Sequence, residues 1–195
     1  MTILPMYPTS INEKYMELVI NTLRDGGIII YPTDSLYAIG CNALNNQAIE
    51  RICRIKGINP AKTNLSIICH DISQSAEYAR IDNRAFRIMK DNLPGPFTFL
   101  LPASTTLPKV FKGRKTVGVR IPDNAIAREI AMRMDSPLLT TSIQWDTEDE
   151  AINPESIAMR YSDTVDIVID GGEGGTEPST VIDITDSSNP EIIRQ

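Results

Sequence analysis

The hydrophobic positions of the chain change period along its length, and the changes divide it into helices and strands. Over 12–25, Ile11, Tyr15, Leu18, Val19 and Leu23 recur at helical spacing, and Gly26-Gly27 closes the segment. Ile28-Ile29-Ile30 follows as a β-branched run, the signature of a short buried strand. Helical spacing returns over 45–56, where Asn45 or Asn46 can cap and Ile49, Ile52 and Cys53 face inward, with Gly57 placed to end it. Strand-like runs lie at 65–69, 97–101, 116–121, 137–141, 165–169 and 180–184, and helical stretches near 82–91, 123–134 and 154–161. Asp82 and Asp123 stand where N-caps belong, and Pro154 fits a first helical position. Strands interleaved with helices predict an α/β (α+β) fold, with helices packed on a sheet. No repeat, low-complexity tract or linker interrupts the pattern, so a single domain over 1–195 is expected. The polar segment 144–153 and the glycine-rich Gly171-Gly172-Glu173-Gly174-Gly175 read as loops, the second a flexible one.

Composition narrows the class. With 195 residues, 42% hydrophobic and 23% charged, the chain is an ordinary globular one, long enough to bury roughly 70% of its unfolded surface. No apolar run approaches the ~20 residues of a membrane helix, and no secretory leader is visible, so a cytoplasmic protein is expected. Cys41, Cys53 and Cys69 are an odd set without a Cys-x-x-Cys pair, which argues against a disulfide framework or a structural zinc site. The formal charge of −6 argues against a generic nucleic-acid coat. A local basic face remains open, because Arg51, Arg54, Lys56, Lys62, Arg84, Arg87, Lys90, Lys109, Lys112, Arg114, Lys115 and Arg120 gather in the first two-thirds.

Several chemistries are absent from the page. His70, the only histidine, has no metal-ligand spacing around it, and neither a Gly-x-Ser-x-Gly elbow nor a Gly-x-x-x-x-Gly-Lys-(Ser/Thr) loop occurs. A Cys–His hydrolase through Cys69 lacks anything to activate the thiol. What remains is a set of hydroxyls and cations near strand ends: Thr33, Ser35, Tyr37, Lys56, Ser66, Thr98, Arg120, Ser142, Ser179, Thr180 and Arg194. Cations supply charge and hydroxyls supply directional donors, which suits a ligand with several phosphate oxygens. With no obvious general base, alignment and charge neutralisation, as in nucleotidyl transfer, are favoured over acid–base hydrolysis. Magnesium would be held mainly by the phosphates. At the strand end Pro32-Thr33-Asp34-Ser35, ligand binding and a plain turn capped by Thr and Ser are both open.

That strand end begins a run, Pro32-Thr33-Asp34-Ser35-Leu36-Tyr37-Ala38-Ile39-Gly40, which resembles the first motif of the YrdC/YciO family. Similar blocks follow in the family's order: Pro94 to Leu101, Val117 to Pro122, Pro137 to Ser142 and Pro178 to Asp183. The resemblance covers nearly the whole chain. It implies a twisted mixed sheet flanked by helices, with a concave, locally basic cleft. Well-characterised members are threonylcarbamoyl-AMP synthases, which convert threonine, bicarbonate and ATP into threonylcarbamoyl-adenylate and pyrophosphate for tRNA modification. Carried over residue by residue, the threonine and bicarbonate pocket falls on Thr33, Tyr37 and Ser142. The nucleotide site falls on Lys56, Ser66, Arg120, Gln144, Ser179 and Arg194. ATP would be a substrate with Mg2+ and not a resident cofactor, no metal ligand is assigned, and the catalytic group stays unassigned.

Two positions depart from the synthase pattern. Synthases carry Lys-x-Arg where this chain has Lys56-Gly57-Ile58, and Ser-x-Asn where it has Ser142-Ile143-Gln144. Losing one charge-assisted bond costs roughly 1.5–3 kcal/mol, tenfold or more in affinity. In these features the chain is closest to the YciO branch. Two function classes follow: a synthase-like enzyme with an incomplete Lys-Arg-Ser-Asn site, or a non-catalytic module binding double-stranded RNA or tRNA. Steep salt dependence would mark the second.

Overall fold

The computed structural model describes residues 1–111 and 115–195. The elements run β1 (Thr2–Pro5), α1 (Glu13–Arg24), β2 (Ile29–Tyr31), β3 (Ala38–Asn42), α2 (Asn46–Lys56), β4 (Ser66–Ile68), α3 (Ile72–Ser75) and α4 (Asn83–Asn92). They continue with β5 (Phe97–Pro102), β6 (Thr116–Arg120), α5 (Ala125–Met134), β7 (Leu138–Ser142), α6 (Glu148–Ile152), α7 (Pro154–Arg160), β8 (Ile167–Asp170), β9 (Thr180–Asp183) and β10 (Glu191–Arg194). All ten strands share one mixed sheet in the order β1-β8-β2-β3-β7-β4-β6-β5-β9-β10.

Local chemistry sets the helix ends. Asn45 accepts the N–H of Ala48 at 3.0 Å and Asp82 that of Ala85 at 2.8 Å, as the sequence predicts. The cap of α5 is Asn124, bonded to the N–H of Ile126, and not Asp123, whose own N–H is bonded to Asp34; the helix starts one residue later than the sequence suggests. In α1 the buried face is Met16, Val19, Ile20 and Leu23, while Leu18 is 44% exposed, because α1 packs one step around its axis from the expected stripe. The polar segment 144–153 contains α6, capped by Thr147 and opened by three acids, Glu148, Asp149 and Glu150, that favour a helix N-terminus.

Strand alternation sends side chains to two cores. Ile30, Ile39, Ile67, Phe99, Val119 and Leu139 pack against α2, α4 and α7. Ile29, Tyr31, Ala38, Ile68, Leu138 and Ile167 meet α1 and α5 on the other face. That second face continues across β7, β4, β6 and β5 as a row of mostly small residues. Ser66 lies opposite both Thr140 and Gly118, and Leu100 opposite Gly118. In the next row Phe99 opposite Val119 sets Thr98 beside Arg120, Thr98 faces Val181, and Val181 faces Arg194. Instead of helix packing, these two rows floor a cavity.

Gly40, on β3, shows how tightly the motif strand is laid. A Cβ there would lie 2.4 Å from the Leu139 carbonyl oxygen and 2.8 Å from the Tyr31 ring. Backbone on one side and a fully buried ring on the other leave nothing to yield. Gly40→Ala is therefore expected to destabilise the protein by about 1–3 kcal/mol or more, read as a lowered denaturation midpoint at unchanged m-value.

Candidate functional site

The cavity has a volume of about 320 Å³, in the range of small-ligand sites. Ser66 of β4, Thr98 and Leu100 of β5, Arg120 of β6, Thr140 to Ser142 of β7, Val181 of β9 and Ile193 and Arg194 of β10 line it, with Ser35, Ile58 and Ser179 from loops. Among the described residues its wall contains no carboxylate and no histidine.

Arg120 dominates its electrostatics. The residue is 7% exposed, and its Nη2 donates to Ser35 Oγ at 2.9 Å. Asp34 Oδ1 stands 3.5 Å from the same nitrogen. Burial lowers the guanidinium pKa from its ordinary value, opposed by the nearby Asp34 carboxylate, yet arginine this basic stays charged. Its Nε is buried without a hydrogen-bond partner. Across the cavity, Arg194 donates through Nε and Nη2 to the Ser179 carbonyl at 3.2 and 2.9 Å. Ser179 Oγ in turn shares a 2.8 Å bond with Thr98 Oγ1. One buried cation, one tethered cation and a lattice of hydroxyls give a wall whose chemistry suits an anion.

Of the residues singled out in the sequence, Ser66, Ser142, Arg120, Ser179 and Arg194 come together in this cavity. Thr33, Tyr37, Lys56 and Gln144 do not line it. Thr33 closes its own turn, donating to the Leu36 carbonyl at 2.6 Å and accepting the Ser35 N–H at 3.0 Å. Gln144 gives its backbone N–H to the Tyr161 hydroxyl at 2.8 Å. Lys56 ends α2 and bonds the carbonyl of Ser142, which lines the cavity; burial lowers its pKa. Gly57 and Ile58 finish that helix, with N–H groups bonded to the carbonyls of Arg54 and Cys53, which turns Ile58 into the cavity wall. Lys112 and Arg114 lie outside the described residues. Thr140 and Thr141 escaped the sequence reading; for Thr140 the signal was the polar residue at alternate positions of β7, Thr140 and Ser142.

Tyr37 is buried, donates to the Gly172 carbonyl at 2.7 Å and accepts the Gly171 N–H at 3.0 Å. It pins the glycine-rich segment that composition alone marks as flexible. Burial, first, pushes its hydroxyl up to about 12, against a partial lowering by the Gly171 N–H. An unfolded tyrosine titrates near 10. The stability this group contributes is therefore complete below pH 10 and is lost as pH rises toward 12. Tyr37→Phe should cost about 1–2 kcal/mol at neutral pH and flatten that alkaline loss, which melting temperatures of both proteins across pH 8–12 would show.

The cysteines are not poised as nucleophiles. Cys41, Cys53 and Cys69 are buried free thiols, and burial pushes Cys69 up to about 12, away from a reactive thiolate. Among the described residues no group of three or more His, Cys, Asp or Glu could hold a metal ion, and no helix is long and apolar enough to cross a membrane.

The family model named Sua5/YciO/YrdC, described as telomere recombination, matches residues 21–195. The chain belongs to the Sua5/YciO/YrdC family. YciO of Escherichia coli strain K12 is 38% identical over 97% of this chain and 93% of its own length. The crystal structure of E. coli YciO superposes with a TM-score of 0.91, covering 100% of this chain and 96% of that one. Pyrococcus abyssi Sua5 complexed with L-threonine is 31% identical, with a TM-score of 0.88 over 100% of this chain but 57% of the larger Sua5 chain. The family resemblance and the mixed sheet flanked by helices are thus both borne out.

Proposed function

We propose that the cavity binds L-threonine and an adenine nucleotide and supports slow, synthase-type formation of threonylcarbamoyl-adenylate. The observation that carries this reading is Arg120, a buried cation with an unpartnered Nε in a hydroxyl-rich cavity. Further support is the fold shared with Sua5, a protein seen with L-threonine. In this reading the threonine carboxylate takes the Arg120 guanidinium as partner. The threonine nitrogen, as the free amine, attacks the bicarbonate carbon and water leaves, giving a carbamate whose oxygen attacks the α-phosphorus of ATP and expels pyrophosphate. With no carboxylate or histidine among the described residues of the wall, these residues contribute alignment and charge, not proton transfer. Magnesium enters with the phosphates of its substrate.

Ile58 is where the reading predicts weakness. It presents an aliphatic side chain to the cavity where synthases carry an arginine, so one phosphate contact is lost. The test is titration of the protein with L-threonine, with AMP and with an RNA duplex at two salt concentrations. Saturable threonine binding, little affected by salt, supports the reading. RNA binding that falls steeply with salt, without a threonine response, overturns it in favour of an RNA-binding module.

A further inference from the structure

Asp34 does not line the cavity, yet it touches the residue that does most there. It follows β2 in the motif turn, and its side chain is 10% exposed. One carboxylate oxygen, Oδ2, accepts the backbone N–H of Asp123 at 2.7 Å. The other stands 3.5 Å from Arg120 Nη2, which also donates to Ser35 Oγ. Adjacent residues of one turn therefore hold one end of the guanidinium, while a third contact fixes the corner three residues beyond Arg120. That corner is also tied by the Asp123 carboxylate, 3.6 Å from Arg128 Nη1, and through backbone oxygens. Cys69 N–H bonds the Arg120 carbonyl, Gly95 N–H the Ile121 carbonyl, and Arg128 the Pro122 carbonyl. None of those ties orients the Arg120 side chain.

We propose that Asp34 is a positioning residue: it holds Arg120 from behind so that the remaining guanidinium edge, Nε included, meets an anionic group of the ligand. The ligand class is a carboxylate or a phosphate monoanion. On the threonine reading above, from which the ligand arm of the test follows, it is the amino-acid carboxylate. A buried guanidinium that kept its free edge unmatched would be costly, and a ligand oxygen placed there removes that cost.

Asp34→Asn separates orientation from charge. The amide oxygen can still accept the Asp123 N–H. Its NH2 then faces Arg120 Nη2, donor against donor, and the guanidinium turns away. Removing the carboxylate also raises the local positive charge, which by itself would favour anions; loss of orientation is expected to prevail because the bond to the ligand is directional. Asp34→Glu keeps the charge and an acceptor within reach.

Two measurements on the full chain decide the matter. The first is ligand-free: the Nε–H resonance of Arg120, assigned by its disappearance in Arg120→Lys. A resolved, slowly exchanging signal is expected in wild type and Asp34→Glu and its loss or broadening in Asp34→Asn; an unchanged signal in Asp34→Asn overturns the proposal. The second is titration with L-threonine and with L-threoninamide, which lacks the carboxylate. Asp34→Asn should weaken L-threonine about 10-fold and leave the amide unaffected, with recovery in Asp34→Glu. Equal weakening of both ligands means a merely structural role and overturns it. Failure of wild type to bind L-threonine would sink the functional reading alone, and the resonance would still judge Asp34.

Discussion

Arg120→Met is expected to abolish L-threonine binding while leaving the protein folded. The methionine has a similar length and stays compatible with a site that is 7% exposed. What disappears is the buried charge and its donors. Each charge-assisted hydrogen bond to a ligand carboxylate contributes about 1.5–3 kcal/mol, so losing two weakens binding by roughly 100-fold or more. Asp34 keeps its bond from the Asp123 N–H and some access to solvent, so its loss of a partner is tolerable. Arg120→Lys should rescue only part of the affinity, since an ammonium carries the charge without the planar fork. Calorimetric titration with L-threonine checks all three proteins, and near-wild-type affinity in Arg120→Met would remove the residue from the site.

The opposite change is expected from restoring what the chain lacks. Ile58→Arg combined with Gln144→Asn should raise ATP-dependent turnover by roughly 10- to 100-fold, the worth of one charge-assisted bond to a phosphate. The structure divides the two contributions unequally. Ile58 already lines the cavity, and its N–H bond to the Cys53 carbonyl belongs to the backbone, so an arginine keeps the helix end. Gln144 does not line the cavity, and its hydrogen bond to Tyr161 is through its backbone. Most of the gain should therefore appear in Ile58→Arg alone. Steady-state pyrophosphate release from the single and double variants tests this; no gain in either would place the deficit elsewhere.

Much of the fold could be read from local pattern. The β-branched run at Ile28 to Ile30, the caps Asn45 and Asp82 and the end at Gly57 are short-range signals, and each marks an element boundary. The two edge strands, Thr2–Pro5 and Glu191–Arg194, were not legible, because each is mostly exposed; the first pairs with β8, far away in sequence, and the second with the neighbouring β9. Ala38–Asn42 was hidden inside the motif for a related reason: its neighbours are β2 and the distant β7. The same limit governs the cavity. Ser66, Arg120, Ser179 and Arg194 carry visible chemistry, but that they share one wall depends on registers joining β4 to β6 and β5 to β9. Asp34 looked like a turn residue, and only its distances to Arg120 and Asp123 reveal a second connection.

The most direct measurement is pyrophosphate release from Mg–ATP with bicarbonate, with and without L-threonine. The account predicts slow release that depends on threonine and disappears in Arg120→Met. Release that ignores threonine, or none at all from a protein shown to bind both ligands, would contradict it.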